Sequence, residues 1–232
     1  AGWLISLYAL GVVVGAPTIA GSVARFPRHR VMIVLAIALT VFNALTVVLP
    51  TFELVGASRF LAGLPHGAYF GIGALVAADV MGPGNRAKGV AFILTGLTVA
   101  NVVGVPLGTF LGQAWGWRAA FGVVALVFAL ATICIVFFVP EHPGSPGRTM
   151  RQELGVFRIR QVWFTLGIGA IGFGGFFAVY SYIAPLVTEV AGSPEWVVPI
   201  VLVLMGIGMT VGNLVGGHLA DIDLRRTLLF GL

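Results

Sequence analysis

The sequence predicts an all-α fold, a polytopic membrane helical bundle with about seven complete transmembrane helices, and three observations carry that prediction. Of the 232 residues, 59% are hydrophobic and 9% charged, against roughly 25% charged in an ordinary soluble domain. Seven apolar stretches can be counted, at residues 1–24, 31–50, 53–80, 88–112, 117–139, 162–188 and 196–220. A hydrocarbon core about 30 Å thick needs about 20 apolar residues per helix, and these stretches match it. The charges fall between the stretches and sort by side. Arg25, Arg28 and Arg30 share one connection, Arg86 and Lys88 a second, Arg148, Arg151, Arg158 and Arg160 a third, and Arg225 with Arg226 a fourth. The alternate connections hold Glu53, then Arg118, then Glu189 with Glu195. This is the positive-inside pattern, so the expectation is a multi-pass protein of a cell membrane, the lipid bilayer its first partner and its basic loops cytoplasmic. The net charge of +5 is then a matter of membrane orientation, and no nucleic acid is expected as a partner.

The first span carries Tyr8, Gly11, Gly15 and Pro17 and runs into GSVARFPRHR at residues 21–30. The second has Asn43 and threonines as its polar features and reads as a lipid-facing or packing helix. The third is the informative one for chemistry. Arg59 lies six positions past Glu53, about 9 Å along a helix axis. His66 follows two turns later on the same face, with Gly63 and Phe70 beside them. A charge facing lipid costs at least about 2.5 kcal/mol, so this face is expected to point inward. Asp79 closes the span near Arg86 and Lys88 and reads as a structural ion pair.

The fourth span organises the rest. Residues 96–112 contain Gly96, Gly104, Gly108 and Gly112, with Pro106 in the middle and no charge. In water each interior glycine costs about 1 kcal/mol and the proline about 3 kcal/mol. In a bilayer the backbone must stay helical, and glycine lets a neighbouring helix approach closely. Asn101, Gly104, Gly108 and Gly112 fall near one face, so a packed partner is expected there. Its natural mate is the seventh span, where Gly208, Gly212 and Gly216 recur at four-residue spacing with Thr210 and Asn213 between them.

Trp115 and Trp117 with Arg118 mark an outer interface before the fifth span, which is uniformly apolar and holds the lone Cys134. From residue 140 to 160 the composition turns to Pro, Gly and basic residues, a linker with room for a short interfacial helix at residues 150–157. The sixth span carries Phe173, Phe176, Phe177 and Tyr180 at helical spacing, then a kinking Pro185. That stripe is either packing or, through Phe176 and Tyr180 together with Asn101, the wall of an apolar cavity with a polar handle. An eighth helix begins at Arg226.

Gly96, Gly104, Pro106 and Gly108 resemble the signature on the fifth helix of drug-proton antiporters of the major facilitator superfamily, with Thr109 where that pattern usually has a second glycine. RFLAG at residues 59–63, with Gly67, resembles the fourth-helix pattern linked to proton coupling in the same superfamily. GHLADIDLRR at residues 217–226 resembles its cytoplasmic loop motif, with Gly217, Asp221, Arg225 and Arg226 in place. The earlier segment with Gly21, Arg28 and Arg30 is a second copy in which Arg25 stands at the aspartate's position, a variant similar to that of chloramphenicol resistance and arabinose efflux proteins.

The resemblance implies a twelve-helix transporter of which the seven spans are helices two to eight, cut at both ends. Residues 1–139 would be an N-terminal half-bundle lacking its first helix, 140–160 a cytoplasmic linker, and 161–232 the start of the C-terminal half. It further implies export of a small amphipathic drug-like molecule in exchange for protons by alternating access, in a monomer. Arg59 is the proton-coupling candidate it points to, the proton-binding acid lying on the absent first helix; His66 is a second candidate because an imidazole can titrate near neutral pH, the alternative being a hydrogen-bonded packing residue. Sugar or nucleobase efflux is the alternative within transport; a membrane-embedded enzyme is the alternative outside it. No cofactor or metal is expected. The only lysine, Lys88, precedes Gly89, so no Walker A loop exists, and no metal-spaced set of His and Cys occurs.

Overall fold

The computed structural model describes residues 2–82, 84–141 and 155–231, and omits the side chains at 87, 213–214, 216–218, 220–222 and 224–231. Every regular element among the described residues is helical. They are α1 (Gly2–Val23), α2 (Arg28–Val48), α3 (Phe52–Met81), α4 (Arg86–Val99) continuing through a π-helical turn (Ala100–Gly104) into α5 (Val105–Trp115), and α6 (Trp117–Phe138). After a 3-10 turn (Gly155–Arg158) come α7 (Arg160–Ser181), the short α8 (Ile183–Pro185), a second π turn (Leu186–Val190) and α9 (Val197–Gly231). Among the described residues six helical spans are long and apolar enough to cross a membrane, and Val197–Gly212 adds a shorter apolar helix.

The boundaries depart from expectation where the backbone has a reason to differ. Arg28 and Arg30 lie in the first turn of α2 and not in a loop. Pro27 sits at the N-cap with φ −55°, and its carbonyl accepts from the Val31 N–H at 3.1 Å, which starts the helix before the apolar run does. The fourth span is helical throughout but not α-helical throughout. Pro106 has no N–H for the carbonyl four residues back, and the Val105 N–H instead reaches the Ala100 carbonyl five back, widening the turn. The sixth span is interrupted ahead of Pro185, which has no N–H for the Ser181 carbonyl. The helix stops at Ser181, Tyr182 leaves helical geometry at φ −111°, and a wide turn follows the proline. Asp223, at φ −150° and ψ 93°, divides α9 and sets off a new helical segment near the expected eighth start. Of the expected linker, residues 142–154 lie outside the described part, and Gly155–Arg158 forms a 3-10 turn.

By packing, the chain forms two compact units, residues 1–93 with 111–162 and residues 94–110 with 163–232. In the first, α3 is central, packing on α1 and α2, while α2 also packs on α6. Gly11 and Gly63 set the α1–α3 distance. A methyl group on Gly11 would strike the Phe60 carbonyl oxygen, and one on Gly63 the Tyr8 carbonyl oxygen. A core of Val31, Met32, Leu35, Ala68, Ile72 and Ile135 joins α2, α3 and α6. Arg118 at the start of α6 donates to the Val47 and Leu49 carbonyls at 3.0 and 3.1 Å, satisfying oxygens left open at the end of α2. In the second unit α9 packs on the π turn at 100–104, and Val187, Val198 and Leu202 form a small core with Val105 and Tyr180 against it.

Candidate functional site

The first unit holds a buried cation. On α3 the positions Val55, Ser58, Arg59, Ala62 and Gly63 form one inward stripe at helical spacing, and small neighbours leave room for a long side chain. Arg59 is only 9% exposed. Its guanidinium lies 4.4 Å from the centroid of the Tyr8 ring and 4.8 Å from that of Phe121, and Nη1 donates to Asn43 Oδ1 at 2.9 Å. Asn43 in turn donates from its amide to the Leu39 carbonyl at 2.7 Å, which fixes which end faces the arginine. Two aromatic faces and one neutral acceptor thus compensate the charge, each ring contributing about 2 kcal/mol or more when desolvated. Among the described residues no carboxylate lies within ion-pair distance of Arg59.

His66 joins the same cluster through Tyr8, whose ring it meets edge-on at 5.5 Å. The expected pair therefore shares an aromatic intermediary, while Phe70, placed beside them by spacing, is 42% exposed. Asn43 is the residue that sequence reasoning missed. It is 3% exposed, and one turn on, Thr46 shares a hydrogen bond with Ser58 at 2.8 Å, so α2 presents a polar seam to α3 as a packing helix, while Val34, Ile37 and Val48 stay exposed. At one end of α3, Asp79 pairs with Arg86 at 2.9 Å and with Arg28, as the charge spacing suggested for Arg86. Arg25 lies over the Phe26 ring at 5.0 Å, and exposed Arg30 approaches Glu141 at 4.0 Å. Gly21 is buried in α1.

The second unit holds a cavity of about 610 Å³, within the range of about 300–1,000 Å³ that suits a drug-sized molecule. Thr98 and Asn101 line it from α4 and the π turn, Phe173 and Phe176 from α7, and Gly206 and Thr210 from α9. Two of the three cavity residues expected from sequence, Asn101 and Phe176, therefore meet in it. Tyr180 stacks on Phe176 at 5.5 Å but belongs to the Val198–Leu202 core beside it, with its hydroxyl buried and unpartnered among the described residues.

The close helix approach falls at Gly206. A methyl group there would come within 2.7 Å of the Asn101 carbonyl oxygen and 2.9 Å of the Val102 Cα. Among the described residues the same methyl on Gly96, Gly108, Gly208 or Gly212 meets nothing within 4 Å, and on Gly104 only Ala100 of its own helix. Pro106 is buried, directly after the π turn. Gly216, Gly217, Asp221, Arg225 and Arg226 lie outside the described side chains.

Six spanning helices, a cation held away from lipid and a neutral cavity between apolar helices define a multi-pass helical membrane protein. The family model described as Major Facilitator Superfamily matches residues 1–232. The inner membrane transport protein YdhP of Escherichia coli (strain K12) is 36% identical over 228 residues, 98% of this chain and 59% of that protein. YtbD of Bacillus subtilis (strain 168), an uncharacterized MFS-type transporter, is 35% identical over 222 residues, covering 95% and 56%. A chloramphenicol resistance protein of Streptomyces lividans is 30% identical over 225 residues, covering 95% and 57%. The chain belongs to the Major Facilitator Superfamily of membrane transporters. It spans a little over half the length of these relatives.

Proposed function

We propose that the chain is part of a secondary active transporter that exports a small amphipathic drug-like molecule in exchange for protons by alternating access. One observation carries the reading: Asn101 and Phe176 line a single cavity that joins a neutral polar wall to an aromatic one. Such a cavity suits a flat molecule with a polar edge. The likeness to a protein named for chloramphenicol resistance supports the same class of substrate. In this reading residues 1–139 and 161–232 belong to two half-bundles that rock about the linker at 140–160, the basic loops face the cytoplasm, and a monomer suffices. Arg59 and His66 supply the coupling. Arg59 is a fixed cation whose field lowers the proton affinity of an acid brought near it during the cycle.

The test is made in cells expressing the full-length transporter. Accumulation of chloramphenicol is followed with and without a collapser of the proton gradient, for wild type and for Arg59→Lys. Export that stops when the gradient collapses, and that the lysine variant has lost, is the expected result. Export unaffected by the collapser contradicts antiport. Unchanged gradient-driven export in Arg59→Lys removes Arg59 from the mechanism.

A further inference from the structure

The cavity at Thr98, Asn101 and Thr210 has a directional hydrogen-bonding character. Thr98 donates its hydroxyl proton to the Leu94 carbonyl at 3.4 Å, and Thr210 donates its own to the Gly206 carbonyl at 2.8 Å. A hydroxyl has one proton and two lone pairs, so Thr210 has spent its donor on its own helix and keeps acceptor capacity, while the longer Thr98 contact engages its proton only weakly. The Asn101 amide nitrogen donates to the Leu97 carbonyl at 3.0 Å. A carbonyl oxygen at that distance requires the nitrogen end of the amide, which leaves Oδ1 and one N–H for other partners. Three acceptor oxygens, on Thr98, Asn101 and Thr210, therefore outnumber the uncommitted donors in this lining.

Phe173 and Phe176 on α7 supply an aromatic part of the lining, and no charged side chain lines the cavity among the described residues. A permanent ion held there would lack a counter-charge at bilayer depth. A molecule whose polar edge offered only acceptors could use the Asn101 N–H but would leave the Thr210 oxygen and Asn101 Oδ1 without a donor.

We infer that the cavity selects uncharged aromatic molecules by their hydrogen-bond donors, with hydroxyl or amide N–H groups turned to Thr98, Asn101 and Thr210 and a flat apolar face laid on Phe173 and Phe176. The inference rests on reading the cavity as the site of the transported molecule. It narrows that substrate from amphipathic compounds in general to donor-bearing neutral ones.

The test measures binding to the purified full-length transporter of uncharged aromatic compounds in matched pairs. In each pair a hydroxyl in one member is replaced by fluorine in the other, thiamphenicol and florfenicol being one such pair. Wild type is expected to prefer the hydroxyl members about fivefold, the effect of about one hydrogen bond. In Thr98→Val with Thr210→Val, which keeps side-chain shape and removes the acceptors, that ratio falls toward one. Thr98→Ser with Thr210→Ser restores it, which separates lost acceptors from a disturbed fold. Equal binding of both members to wild type, a preference that survives the valine variant, or no binding of either member overturns the inference. Donor preference without gradient-driven export leaves this inference standing and overturns the antiport reading. Gradient-driven export without the preference does the reverse.

Discussion

Asn43 shows how one amide can decide whether a membrane tolerates a charge. Arg59 Nη1 has it as a hydrogen-bond partner at 2.9 Å, and both side chains are buried. Asn43→Leu keeps the volume and removes the acceptor, so it is expected to destabilise the full-length protein by about 1.5–3 kcal/mol, the range for a hydrogen bond to a charged group. Asn43→Leu combined with Arg59→Met should cost less than the sum of the two single changes, since neither leaves the other unpaired. Denaturant unfolding in mixed micelles measures this, and strictly additive costs would show that the two residues do not act together. Arg59 was legible in the sequence because a charge inside an apolar run has few places to go. Asn43 was not, because a single amide among aliphatic residues reads equally as packing, and only the register of α2 against α3 aims it at the arginine. Tyr8 and Phe121 were hidden for the same reason, aromatic side chains being ordinary membrane content until a cation lies over them.

Among the helices, glycine spacing shows where a close approach is possible, and the neighbouring backbone decides where it occurs. Gly206 is the tight position of α9, while Gly208 and Gly212 face open space among the described residues. Gly206→Ala is therefore expected to force the π turn at 100–104 away from α9 and to lower the melting temperature of the full-length protein. Gly208→Ala should leave it within a degree or so of wild type, or raise it, since alanine stabilises a helix by about 1 kcal/mol relative to glycine. Equal effects at the two positions would mean that the approach lies elsewhere. The regular four-residue repeat drew attention to Gly208, Gly212 and Gly216, whereas Gly206 stands one turn from Thr210 and outside that repeat. The prolines were better guides. Pro106 and Pro185 each sit beside a wide helical turn, where a missing N–H disturbs the hydrogen-bond ladder, whereas Pro17 and Pro65 lie within continuous α-helices.

For the whole molecule, the all-α membrane class, the span positions and the family were legible from apolar run length, charge placement and four short motifs. The partner of the fourth span was legible too: its glycines pointed to the seventh span, and α9 packs on its π turn at 100–104. The division of that span was not, since residues 94–110 pack with the later helices while residues 111–115 belong with the earlier ones. Hydropathy gives each helix its length but not its neighbours, since lipid and protein are equally apolar partners.

The cavity beside Asn101 and Thr210 is the centre of the account, and alternating exposure of that cavity is its central claim. It is tested most directly by thiol labelling of Thr210→Cys in the full-length transporter with Cys134→Ser, using a membrane-impermeant reagent from each face of oriented vesicles. The account predicts labelling from either face, a shift between faces when the proton gradient is imposed, and protection by a transported compound. Labelling from one face alone, unchanged by gradient and compound, would contradict it.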